Sequence, residues 1–383
     1  MAEIDSKEQK TTQGIGAQGS AVPTKPTGNA AASGAGGKKL LQLSPSPHIA
    51  TPTSAATLMR NMLVALAPAA IFGCVIFGLP ALLNIAVSVA SAMSAEAAFR
   101  RILKRESKVR DLSAAVTGLL LALAIPPATP LWMTALGAIF AVVVVKEFFG
   151  GLGSNVFNPA LSARAFLLMS FPAALTEWNK PNGLAAGIAA GFDAATTATP
   201  LNIIKQGGGI AGVADSFGGA ADYASVIKTL FIGNRGGSTG ETSILLILTG
   251  AAYLLATKTI DWRAPLAMIA AVAAGSFALG LDPLFGVLSG GVLFGAVFMA
   301  TDYTTAPLTA KGKLLFGAGA GLITVVIRKW GAFPEGVTYG ILIMNAFTPF
   351  LNKLLSRKYG YIPRKKPSAS ATTSVAEAKE AGK

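Results

Sequence analysis

Ten apolar stretches follow one another along this chain, at roughly 61–79, 81–99, 111–127, 130–148, 158–172, 242–257, 264–281, 284–300, 313–327 and 336–355. Several are shorter than the ~20 residues that cross a bilayer upright, and between them run short polar, often basic connections. Composition agrees with a lipid setting: of 383 residues, 52% are hydrophobic and only 13% charged, with a mean hydropathy of +0.55. The expected fold is an all-α polytopic membrane protein of about ten transmembrane helices, because helices satisfy their backbone polar groups internally in lipid.

The formal charge of +14 raises the question of nucleic acid. Lys and Arg fall in short clusters between apolar stretches, with no basic face interleaved with aromatics, so nucleic-acid binding is excluded. With the N-terminus inside, the cytoplasmic connections collect Arg100, Arg101, Lys104 and Arg105, then Lys146, then Lys258 and Arg263, then Lys311 and Lys313, and finally Arg357 and Lys358. This follows the positive-inside rule; Arg328-Lys329 stands against it. Both termini are therefore expected in the cytoplasm, with a polar insertion at 173–241 on the outer face. Residues 1–45 lack the apolar core of a secretory signal and read as a disordered cytoplasmic tail. The transmembrane domain spans 46–363, and 364–383 form a second tail. A single cysteine, Cys74, and a single histidine, His48, leave no disulfide framework and no Cys/His metal cluster from this chain alone. Cys74 reads as packing, a site shared with another subunit being the sharper alternative.

Proline marks several stretches as discontinuous: Pro126, Pro127 and Pro130 close the third, Asn158-Pro159 opens the fifth, and Asp282-Pro283 divides the seventh from the eighth. Interrupted helices point to a ligand or ion path, and loop punctuation at helix ends is the plainer reading. A short echo, Pro159-Ala160-Leu161-Ser162-Ala163-Arg164 against Pro307-Leu308-Thr309-Ala310-Lys311, places Leu-Ser-Ala-Arg and Leu-Thr-Ala-Lys 147 positions apart and suggests duplicated halves. The acids Glu96, Asp111, Glu147, Glu241, Asp282 and Asp302 are candidates for an ion path, each with an interfacial or capping role as the plainer alternative.

Within the insertion, Asp193-Ala194-Ala195-Thr196-Thr197-Ala198-Thr199-Pro200-Leu201 is a hydroxyl-rich island of small residues. Pro200 disfavours helix at Thr199, so an exposed turn is expected there. A threonine hydroxyl is a poor nucleophile near neutral pH, and a small-residue turn would let a second enzyme supply the missing base or metal.

Asp-x-x-(Ser/Thr)-x-Ala-Thr, here Asp193 to Thr199, resembles the flavinylation motif of the NqrB/RnfD family of bacterial ion-pumping redox complexes. The resemblance covers most of 50–355, through Asp111 to Leu123 with Pro126-Pro127, Asn158-Pro159-Ala160, Gly240-Glu241-Thr242-Ser243, and Phe298 to Asp302 with Ala306-Pro307. Ala198-Thr199-Pro200-Leu201 is closer to the RnfD branch; Thr197 departs from the family, which commonly has Gly there. The resemblance implies FMN esterified through its phosphate to Thr199 by an extracytoplasmic flavin transferase. Asp193, Thr196, Thr197, Ala198 and Pro200 would then form the recognition and turn residues of that cofactor site. It also implies a non-covalent riboflavin nearer the cytoplasmic side, and Glu241 and Asp302 become the ion-path acids of most interest.

No nicotinamide fold, iron–sulfur set or haem pair is present, so electrons would pass to and from other membrane and redox subunits. The chain would be a translocase subunit with no catalytic residues of its own and no metal site, linking ferredoxin and NAD oxidoreduction to Na⁺ or H⁺ transport. The alternatives are an NqrB-type subunit of a Na⁺-pumping quinone reductase and a non-redox solute channel or transporter. The latter rests on Ile125-Pro126-Pro127-Ala128-Thr129-Pro130-Leu131, which loosely resembles a urea-transporter signature.

Overall fold

The computed structural model describes residues 54–106, 109–179, 181, 198–217, 223–233, 235–333 and 335–355. Both expected tails, and Asp193, Thr196 and Thr197, lie outside the described residues. The chain divides into two units, 1–51 and 52–383, and the described residues belong to the second.

Every element among the described residues is a helix, and all ten apolar stretches are accounted for. The first five become α1 (Ala55–Phe77), α2 (Leu79–Ile102), α3 (Ser113–Ala124), α4 (Leu131–Ile139) with a π-helical continuation (Phe140–Glu147), and α5 (Pro159–Ser170). A short α6 (Pro172–Thr176) opens the insertion, which also contains α7 (Pro200–Lys205), α8 (Gly209–Ser216) and α9 (Tyr223–Ile232). The last five stretches become α10 (Ile244–Ala256), α11 (Arg263–Ala278), α12 (Pro283–Leu288) with α13 (Val292–Phe294) and its π-helical continuation (Gly295–Met299), α14 (Ala310–Trp330) and α15 (Val337–Leu355). Among the described residues, α1, α2 and α14 are long and apolar enough to cross a membrane on length and composition alone.

All twelve residues of α3 are buried, with α1, α2, α4 and α5 packed round it. Small residues allow that: a methyl at Gly118 would lie 2.8 Å from the Ser88 carbonyl oxygen, so α2 and α3 touch backbone to backbone, as small-residue crossings in membranes do. The Ser88 hydroxyl donates to the Gly118 carbonyl at 2.7 Å across the same contact. In the second half, Gly317 and Gly321 of α14 play this part against Ala264 and Met268 of α11.

The insertion is folded where it is described. Leu201, Ile203 and Ile204 of α7, Val213 and Ala214 of α8, and Val226 and Leu230 of α9 pack into the main core. That burial distinguishes it from a simple surface loop.

The prolines at predicted breaks turn out to be punctuation. Pro130 is the N-cap of α4, while Pro159 and Pro283 open α5 and α12 at positions where no amide hydrogen is needed. The turn at 125–129 is largely buried and closed from α2: Asn84 Nδ2 donates to the carbonyls of Pro127 and Thr129 at 2.6 and 3.1 Å. A real break falls elsewhere, at Ser289-Gly290-Gly291 inside the eighth stretch.

The halves repeat as elements, though not in the register of the short echo. A helix ending in π turns, a loop, and a helix opened by a polar cap occur twice: Asn158 caps α5 and Thr309 caps α14. Ser162, which the echo aligns with Thr309, sits a turn inside α5. The two loops meet, with Asn155 Nδ2 donating to Thr304 Oγ1 at 3.0 Å and Asn158 Nδ2 to the Met299 carbonyl at 3.4 Å.

Candidate functional site

Pro200 fixes the start of α7 and holds Thr199 extended, at ψ 151°. The threonine therefore caps the helix, its Oγ1 accepting from the Asn202 amide at 3.2 Å. The expected exposed turn is corrected here: Thr199 is 6% exposed, Pro200 is buried beside it, and Ala198 is exposed. The reason is the apolar face of α7, which pulls its own N-terminus into the bundle.

Thr199, Pro200 and Leu201 face Arg235, Gly236, Gly237, Glu241, Gly290 and Glu335 across a cavity of about 10 Å³, room for about one water. Each charged wall has a structural origin. Arg235, 4% exposed, donates to the Glu241 and Thr242 carbonyls at 2.8 and 3.4 Å. Gly240 ties the same loop to the end of α3, its amide bonding the Leu123 carbonyl at 2.8 Å. Arg164 of α5 pairs with Glu335. Glu241 Oε1 accepts from the Ser238 amide at 3.2 Å and from the Ser238 hydroxyl. Burial pushes the Glu241 carboxyl up to about 7, Glu335 adding to the rise while Arg164 and Arg235 oppose it.

The helix break completes this wall. Gly290 has φ 61°, and a methyl on Gly291 would stand 2.6 Å from Glu241 Oε2. The carbonyls freed at the break, of Gly286 and Ser289, are taken by the Arg328 guanidinium. Arg328, the exception to the charge rule, is thus buried and bonded. A second cavity of about 280 Å³ lies alongside, lined by Trp178, Phe333 and Tyr339 with Leu168, Leu175 and Arg164 among others. Asn202 and Glu335 belong to its wall too, so it adjoins the Thr199 recess.

At the opposite end of α3, a cavity of about 50 Å³ is lined by Ser113, Thr117, Lys146, Asn155, Asn158 and Asp302 among others. Asn155 Oδ1 is buried there without a partner. Asp302 accepts from Thr304 and Thr305, and burial pushes its carboxyl up against those bonds. Beside this cavity Glu96, Arg100, Lys146 and Glu147 form one buried cluster: Lys146 Nζ reaches Glu96 Oε1 at 2.9 Å and Ser113 Oγ at 2.6 Å, and Arg100 reaches Glu147 Oε1 at 3.0 Å. Arg100 and Lys146 are therefore not loop cations as expected; Lys146 is 2% exposed. Asp282 caps α12, bonding the amides of Leu284 and Phe285, and Asp111, ahead of α3, accepts from the amide and hydroxyl of Ser113.

The model of the NQR2, RnfD, RnfE family matches residues 42–360, from ahead of α1 to beyond α15. The chain belongs to that family. It is 41% identical over 323 residues to the D component of a proton-translocating ferredoxin:NAD(+) oxidoreductase complex of Clostridium ljungdahlii, covering 82% of this chain and 95% of the relative. It is 40% identical over 335 residues to the D component of a Na(+)-translocating ferredoxin:NAD(+) oxidoreductase complex of Acetobacterium woodii, with 86% and 98% covered. The D component of an ion-translocating oxidoreductase complex of Stutzerimonas stutzeri is 38% identical over 342 residues, with 82% and 94% covered.

This NQR2, RnfD, RnfE family chain brings Thr199 and Glu241 together as wall residues of one recess and puts Asp302 at the other end of α3. Sequence reasoning missed Arg164, Arg235, Arg328 and Glu335. Arg328-Lys329 carried a signal in breaking the charge rule. The other three come from separate elements and meet only by folding.

Proposed function

We propose that this chain is the RnfD-type membrane subunit of an Rnf-like complex of the bacterial inner membrane, passing electrons through FMN esterified to Thr199 while ferredoxin and NAD oxidoreduction drives Na⁺ or H⁺ across. The three relatives are all named as the D component of a translocating oxidoreductase complex, two of them of a ferredoxin:NAD(+) oxidoreductase, which favours this branch over an NqrB-type subunit. The observation that carries the cofactor reading is the setting of Thr199: a buried hydroxyl walled by Arg235 beside an aromatic cavity of about 280 Å³.

The residues fit the group in chemistry. Arg235 supplies a fixed cation for a phosphodiester on Thr199 Oγ1, and Arg164 and Arg328 keep cations in excess of Glu241 and Glu335. The ring has no room in the 10 Å³ recess, so it belongs in the cavity of Trp178, Phe333 and Tyr339. FMN there would supply one- and two-electron transfer; the chain's own part is to orient it, exclude water, and hold a proton at Glu241. Because Thr199 is a buried cap, the flavin transferase must act before α7 docks or when it undocks.

The second, non-covalent riboflavin is assigned to the cavity at Asn155, whose unpartnered Oδ1 calls for a donor. At about 50 Å³ that cavity takes water, so a ring there requires the loop between the α4 π turns and α5 to move. Orientation follows the loop charges: both termini in the cytoplasm and the Thr199 end outside.

The test is flavin fluorescence of the denatured protein on a gel after co-expression with its transferase. Wild type should fluoresce and Thr199→Val should be dark. A dark wild-type band, with the transferase active on a control substrate, would remove the covalent carrier. Asn155→Ala should keep that band and lose extractable riboflavin.

A further inference from the structure

We propose that the cavity where α10 ends and α11 and α14 begin binds the headgroup of an anionic phospholipid. At about 560 Å³ it is far larger than the recess at Thr199, and its wall includes Lys258, Asp261, Trp262, Arg263, Asp302 and Lys313. It shares Asp302 and Tyr303 with the cavity at Asn155, but Lys258, Arg263 and Lys313 line this cavity alone, and the proposal stands independently of the flavin reading.

The charge arrangement is incomplete as it stands. Asp261 Oδ2 serves two cations at once, Arg263 Nη1 at 2.9 Å and Lys313 Nζ at 3.0 Å. Burial would push this carboxyl up, but hydrogen bonds and charge from Lys313 and Arg263 outweigh it and hold it below the usual carboxylate range. Lys258 stands on the same wall with no partner among the described residues, held at φ 53° just past the end of α10. Asp302, on the floor, is already engaged by Thr304 and Thr305. Three cations thus share one available carboxylate. Two of them also occupy unfavourable places, since Arg263 opens α11 and Lys313 lies in the opening turns of α14. Helix N-termini carry positive partial charge and favour anions. A phosphate in the cavity relieves both conflicts and gives Lys258 a counter-ion.

The rim identifies the source of the phosphate. Trp262 is 53% exposed and Leu308 80% exposed, with Leu255 exposed beside them. Aromatic residues of this kind settle at headgroup level, with apolar neighbours in the acyl region. Trp262 also lies 5.6 Å from the Arg263 guanidinium, which keeps that cation at the cavity mouth. A free anion needs no apolar rim, whereas a phospholipid uses both parts. Basic pockets between helices near the membrane surface hold anionic headgroups in this way.

The full chain in phosphatidylcholine nanodiscs, doped with brominated phosphatidylglycerol or with brominated phosphatidylcholine, tests the assignment. Trp262 fluorescence is isolated by subtracting the Trp262→Phe variant. The anionic quencher should outcompete the zwitterionic one at equal mole fraction, and Lys258→Gln and Lys313→Gln should each reduce that preference by about fivefold. Lys258→Gln disturbs no ion pair, so its result does not depend on tolerance of a broken one, and Arg101→Gln, exposed at the end of α2 and not on this cavity's wall, should change nothing. Equal quenching by the two lipids would overturn the proposal. So would displacement by inorganic phosphate, which would make this a free-anion site, or loss of quenching by both lipids in the assembled complex, which would make it a protein interface.

Discussion

Thr199 does two jobs at once, as cap of α7 and as the hydroxyl proposed to carry flavin. Thr199→Val removes both, and the cap's share is only about 1 kcal/mol, so the variant should remain folded on size exclusion while losing its covalent fluorescence. Glu241 adds a pH dependence. Its folded-state value, about 7, is raised above the ordinary 4.5, so the folded protein holds a proton that the unfolded chain releases between those values. The stability it contributes is full below about 4.5 and is lost as pH rises through about 7. Thermal unfolding in detergent should show Tm falling across that window in wild type and a flatter profile in Glu241→Gln. The cluster at the other end of α3 answers to a different rule. Lys146→Met leaves Glu96, whose Oε2 already lacks a partner, only the longer 3.6 Å approach of Arg100 Nε, and should cost ~3–5 kcal/mol; Lys146→Met with Glu96→Leu should recover most of it. Equal losses in the single and double variants, compared by chemical denaturation, would contradict the pairing.

Among elements, the break between α12 and α13 is the one with a chemical neighbour. Its glycines admit Glu241 and Arg328 close to the backbone, and Arg328 satisfies the carbonyls that the missing turn exposes. Gly290→Ala should cost about 1–2 kcal/mol for its left-handed φ alone, with more from a methyl 2.9 Å from Arg328 Nη2. The readout is Tm together with the fraction of protein that becomes flavinylated, and both should drop. The ten apolar stretches and their order were readable because each is a run of apolar residues set off by charge, proline or glycine. This break was not, because glycines within an apolar stretch look the same whether the helix runs through them or stops. The π turns after α4 and α13 left no readable mark either, since 140–145 and 295–299 are as apolar as the helical turns before them.

For the molecule as a whole, the arrangement is two proposed cofactor sites at the two ends of one buried helix, with the insertion folded over one end and the paired π-helix loops meeting at the other. Contiguous residues were enough for the all-α membrane class, the number and order of the segments, and the motif that marks Thr199, because hydropathy and motif are both local properties of the chain. Hydropathy could also predict where cations lie along the chain, but not which are buried: Arg100, Lys146 and Arg328 read as loop charges and are instead locked to acids or freed carbonyls. The recess at Thr199 was decided by tertiary structure alone. Its walls come from the start of α7, the loop before α10, the break after α12 and the turn before α15, and no local pattern records which distant side chains a fold will bring within a few ångströms of one another.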